Sequence, residues 1–148
     1  MIARMPARLI RSDQLYTAAP YAYASVAPPG SLIFTAGACP IDENGQVTAV
    51  DDYVGQAEHA VANLVTALAA AGASLTDVLK TTVYVASADP SDLYDVWQVV
   101  RTAFGAHDAP STLLGVSALG YRDQLVEVEA VALAGGSGEL PPARPQAD

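Results

Sequence analysis

Two glutamates stand two residues apart in the run Leu125-Val126-Glu127-Val128-Glu129-Ala130. A period of two places Leu125, Glu127 and Glu129 on one face of a strand and Val126, Val128 and Ala130 on the other. Carboxyls kept among Leu, Val and Ala are either half exposed or set in a cleft. In a cleft, burial raises a carboxyl pKa toward the range where it exchanges protons with a substrate. Cys39 is the only cysteine; it is a nucleophile only beside an activating base and otherwise an inert apolar side chain. His59 falls on the polar side of a helical pattern, which predicts exposure. His107 follows a helix end, where capping or dipole complementation competes with a role as general base. Ser111 and Thr112 offer hydroxyls to a ligand carbonyl, or merely belong to a strand.

The elements that must position these groups are legible in order. Short strands are predicted at 7–11, 21–26 and 31–38, with turn residues at Pro28-Pro29-Gly30 and a stop at Pro40. Asp42-Glu43-Asn44-Gly45 reads as a tight turn into Gln46-Val47-Thr48. The period then changes to about 3.6, with Val54, Ala57, Val61, Leu64, Val65 and Leu68 on one helical face and Gln56, Glu58, His59, Asn63 and Thr66 mostly between them. Asp51 or Asp52 can cap this helix and Gly72 can end it. Residues 78–86 are rich in β-branched and aromatic side chains and read as a strand. A second helix runs from the cap at Asp89-Pro90-Ser91 to Gly105, with Leu93, Val96, Trp97 and Val100 on one face. Residues 109–133 read as two strands joined by a polar turn.

The prediction is an α+β domain over residues 1–134, one six-stranded, mainly antiparallel sheet with two helices on one face, followed by a flexible tail at 135–148. The second sheet face carries apolar side chains too, so a closed homo-oligomer is expected to cover it. Composition narrows the function. The 148 residues are 51% hydrophobic, enough for one substantial core. Sixteen acids against seven bases give a net charge of −9, which repels phosphate backbones and argues against nucleic acid. The first residues lack the long apolar run of a secretory signal or membrane span, so a soluble, cytoplasmic protein is expected. With no Cys/His cluster, phosphate-cradling Gly loop or dinucleotide fingerprint, no metal and no cofactor is expected.

From about Tyr21 to Ala134 the chain resembles the Rid family, also called the YjgF or reactive intermediate deaminase family. The resemblance rests on Pro20-Tyr21, on Gly37 with Pro40 three residues on, on the stretch Ala70 to Val85, and most of all on Leu125 to Ala132. It implies a chorismate mutase-like fold, a homotrimer, and three small-molecule clefts between subunits. In such clefts reactive imines and enamines derived from amino acids are hydrolysed to a 2-keto acid and ammonia. Carried onto this sequence, Tyr21 would line the cleft, the Gly37 N–H would face a substrate carboxylate or carbonyl, and Glu127 would hold the hydrolytic water.

The chain departs from the family where the substrate carboxylate is clamped. Deaminating members carry Pro-Ala-Arg-Ser before the glutamate strand, and the Arg makes a two-pronged contact. Here that Arg position falls on Ser111, or on Pro110 if the alignment shifts by one. Loss of the contact would remove roughly 2–5 kcal/mol of carboxylate affinity. Leu113 stands where a Cys or Thr is common, so Ser111, Thr112 and Leu113 would form a less polar binding wall. Arg122, in the loop Gly120-Tyr121-Arg122-Asp123-Gln124, can replace the charge from another direction or simply be a solvated turn residue. Two readings follow: a hydrolase for an imine, enamine or related unsaturated carbonyl substrate, with Glu127 catalytic, or a non-catalytic trimer that binds a metabolite or a partner protein.

Overall fold

The computed structural model describes residues 8–19, 22–26 and 30–134. Six strands, β1 (Arg8–Ile10), β2 (Ala24–Val26), β3 (Leu32–Thr35), β4 (Val78–Val85), β5 (Ser111–Gly115) and β6 (Val126–Leu133), form one sheet in the order β1-β2-β3-β6-β4-β5. Two helices, α1 (Tyr53–Ala70) and α2 (Pro90–Phe104), complete it. All neighbours are antiparallel except β4 and β5, which run parallel because α2 returns the chain between them. The sheet is therefore mixed. Residues 135–148 and Tyr21 lie outside the described residues, as do the expectations attached to them.

Local chemistry sets the helix ends. The Asp52 carboxylate accepts from the Gly55 N–H at 3.0 Å and Asp89 from the Ser91 N–H at 2.9 Å, with Pro90 opening α2. Past the helices, Gly72 and Gly105 take positive φ, 85° and 59°. Between the strands the two helices bury Leu64, Leu68, Val96 and Val100 against Val83, Val85, Val126 and Val128. The alternate strand positions face the other way, and there Phe34 is 54%, Leu133 45% and Leu32 40% exposed. One sheet face is dry and the other open.

The two strands within 109–133 are joined by a loop but are not sheet neighbours, because β4 inserts between β5 and β6 and pairs with both. Two expectations need amendment. Gln56, assigned to the polar side of its helix, is fully buried. Its amide donates to the carbonyls of Ala49 and Asp123 and accepts from the Leu125 N–H at 2.7 Å, so a polar side chain is buried to saturate loop backbone. His59 is only half-buried rather than free, since its Nδ1 meets the Thr48 hydroxyl.

Candidate functional site

β6 carries Val126, Val128 and Ala130 into the core and turns Glu127 and Glu129 to the open face. Past β3 the chain continues alongside β6, where the Ala38 N–H donates to Val128 O at 2.7 Å and the Val128 N–H returns a bond to Ala38 O at 3.1 Å. This bridge lays Gly37 against the Glu127 side chain. A Cβ at residue 37 would sit 1.7 Å from Glu127 Oε1, so only glycine permits the approach. The Gly37 N–H has no hydrogen-bond partner among the described residues.

Two side chains complete the corner. Gln124 is buried, with its Oε1 accepting from the Tyr121 N–H at 3.0 Å. Its Nε2 donates to Val126 O at 3.1 Å and reaches Glu127 Oε2 at 3.5 Å. Cys39 donates weakly to Gly37 O at 3.5 Å and also meets the Glu127 carboxylate. Burial, reinforced by the charge of Glu129, raises the Glu127 pKa, and hydrogen bonds from Gln124 and Cys39 oppose this only in part. Burial first, and then the Glu127 charge, push the Cys39 thiol up to about 12. Cys39 is thus a thiol donor near neutrality and not a thiolate nucleophile. Beside it a small cavity is walled by Tyr16, Tyr23, Asn63 and Ala67, and the Tyr23 hydroxyl donates to Tyr16 O at 2.8 Å.

The other sequence-predicted residues are spread more widely. On β5, Thr112 lies in one row with Thr82 and Glu129, on the open face, and accepts from Lys80 Nζ. Ser111 and Leu113 pair with the buried Thr81 and Val83 and so take the helix-covered face, away from Glu127. Consecutive strand residues cannot share a face, so Ser111, Thr112 and Leu113 do not form one wall within a single chain. Arg122 is exposed in the loop before β6. Gln124 was missed by sequence reasoning, as was the contact of Cys39 with Glu127; neither carries a periodic signal. Among the described residues no group of His, Cys, Asp and Glu is arranged to hold a metal ion, and no helix is long and apolar enough to cross a membrane.

The Endoribonuclease L-PSP family matches residues 11–134. A RutC family protein of Pyrococcus abyssi, PYRAB12510, is 36% identical over 111 residues, covering 74% of this chain and 84% of its own length. TdcF of Escherichia coli, named as a candidate reactive intermediate deaminase, is 31% identical over 107 residues, covering 70% of this chain and 80% of its own. The crystal structure of Escherichia coli TdcF with bound serine superposes with a TM-score of 0.72 at 28% identity, over 86% of this chain and 99% of that one.

Proposed function

The chain belongs to the Endoribonuclease L-PSP family, the YjgF/Rid group, and from that premise we propose that it is a small-molecule hydrolase acting on an imine, enamine or related unsaturated carbonyl compound. One observation carries the reading. A half-buried carboxyl of raised pKa, Glu127, is packed over Gly37, whose N–H is unspent among the described residues.

The chemistry follows from that pair. The imine enters protonated on nitrogen; as water forms the new C–O bond, the C=N pair moves onto nitrogen and Glu127 accepts a proton from the water. When the tetrahedral carbinolamine collapses, Glu127 returns that proton to the leaving nitrogen as the C–N bond breaks, and the hydroxyl gives its proton to solvent as the C=O bond forms. The products are a carbonyl compound and ammonia. Gly37 N–H supplies a hydrogen bond to a substrate oxygen, with Tyr21 on the cleft wall.

The cleft lies between subunits of a homotrimer in this proposal. The exposed Leu32, Phe34 and Leu133 support an assembly that covers the open sheet face, and Ser111 and Leu113 can face Glu127 only from a second copy. The replaced clamp, at Ser111 or Pro110, sets the substrate apart from the usual 2-imino acids. The charge of −9 counts against RNA as a partner. The reading places the protein in the cytoplasm.

The test is ammonia release from imines generated by an amino-acid oxidase, with wild-type protein and Glu127→Gln. Acceleration that disappears in the variant supports the hydrolase; no acceleration with any imine or enamine overturns it. The absent Arg favours a second reading, a non-catalytic metabolite-binding or partner-binding trimer. Ser111→Arg separates them: gained hydrolysis of 2-iminopropionate shows intact catalytic groups, whereas a folded, trimeric but inert variant favours binding.

A further inference from the structure

Ser111 opens onto a cavity of about 190 Å3 between the C-terminal half of α2 and the start of β5, on the helix-covered side of the sheet. At about 30 Å3 per water it has room for roughly six waters, enough for a small organic acid. Trp97, Val100 and Phe104 form its apolar wall, and Arg101 and Asp108 stand exposed at its rim.

The walls are held in place by hydrogen bonds that leave specific donors unspent. His107 Nε2–H donates to Val78 O at 2.7 Å, and its ring stacks on Phe104 with centroids 6.4 Å apart. The Thr81 hydroxyl donates to Ser111 Oγ at 2.7 Å, which leaves the Ser111 hydrogen free to donate into the cavity. The Arg101 guanidinium has no hydrogen bond or ion pair among the described residues. Asp108 at the same rim opposes a second negative charge, so the arrangement suits a monoanion rather than a phosphate dianion.

The geometry points to this groove as a carboxylate subsite, in which Arg101 and the Ser111 hydroxyl bind the carboxylate of an apolar organic acid whose body rests on Trp97 and Phe104. It is separate from the proposed hydrolase, because the groove lies on the helix-covered side of the sheet and Glu127 on the open face. The apolar wall of Trp97 and Phe104 suits an acid bulkier than a small 2-imino acid.

Trp97 is the only tryptophan, so its emission reads occupancy of the groove directly. Phenylacetate and its uncharged counterpart phenylacetamide are titrated into the full chain. Phenylacetate is expected to change the emission saturably and to bind at least about tenfold tighter than the amide, the worth of one charge-assisted hydrogen bond. Arg101→Gln should lose about that factor for the acid and nothing for the amide, and Arg101→Lys should recover part of it. No saturable change with phenylacetate, or equal binding to wild type and Arg101→Gln, overturns the proposal. The same samples are assayed for imine hydrolysis with Glu127→Gln in parallel. Acid binding that depends on Arg101, without hydrolysis, sinks the hydrolase and leaves the subsite; hydrolysis that depends on Glu127, without acid binding, does the reverse.

Discussion

Glu127 and Glu129 leave β6 on the same side, two residues apart, and meet different surroundings. Beside Glu127 the segment 36–39 continues along β6 from the end of β3, bringing Gly37 and Cys39 onto the carboxyl while Gln124 reaches it from the loop before β6. Glu129 instead takes a hydrogen bond from Tyr84, the residue that pairs opposite Glu127 on β4: Tyr84 OH donates to Glu129 Oε1 at 2.8 Å, and that bond is the first cause of the raised Tyr84 pKa. One carboxyl keeps a raised affinity for its proton, and the other is held as a hydrogen-bond acceptor. Strand period makes the two equivalent; what packs against each decides its chemistry.

The sharpest way to break this comparison is to remove each carboxyl in turn. Glu127→Gln is expected to lower imine hydrolysis by about 10²–10⁴-fold, the range for a general acid–base group, while Glu129→Gln keeps most of the rate. Equal losses in a steady-state assay would erase the distinction. Gly37→Ala comes next, because its Cβ would occupy the space of Glu127 Oε1. Displacing the carboxyl should cost about 1–3 kcal/mol in urea unfolding and reduce hydrolysis with it.

Smaller effects sharpen the picture. Gln56→Leu strands the Leu125 N–H and two carbonyls, for an expected loss of about 1–3 kcal/mol. Because that amide holds the loop entering β6, hydrolysis should fall further than global stability explains.

The pH dependence has a definite sign. An unfolded Glu127 titrates near the ordinary glutamate value of 4.5, and the native carboxyl titrates higher. Between those two values the unfolded state has lost a proton that the native state keeps, so this residue's contribution to stability declines as pH rises through the window. Urea unfolding of Glu127→Gln across acidic to neutral pH should lack that decline. Tyr84→Phe should show the smallest change, about 0.5 kcal/mol or less for one largely solvated hydrogen bond. A loss of activity in that variant would show that Glu129 and its hydrogen bond participate after all.

Much of the fold is legible along the chain. Asp52, Asp89, Pro90, Gly72 and Gly105 mark helix boundaries because capping and φ preference act within a few residues. The alternation from Val126 to Ala130 separates core from open face because side-chain direction on a strand is a local property. Gln56 was not legible, since a buried amide looks like any polar helix residue until the loop it bonds is brought beside it. Nor was the separation of Ser111 from Glu127, which depends on β4 entering between β5 and β6.

By itself the sequence determined the two helices, the strands, the two-faced pattern of β6 and the absence of an Arg at residue 111, all set by residue type and short-range period. Only the tertiary structure decided that Gly37 lies on Glu127, that Cys39 is a protonated partner, and that Ser111 shares a groove with Arg101. Those relations join residues far apart in the chain, and their physical content is a distance of approach and a loss of water. No local pattern encodes either one.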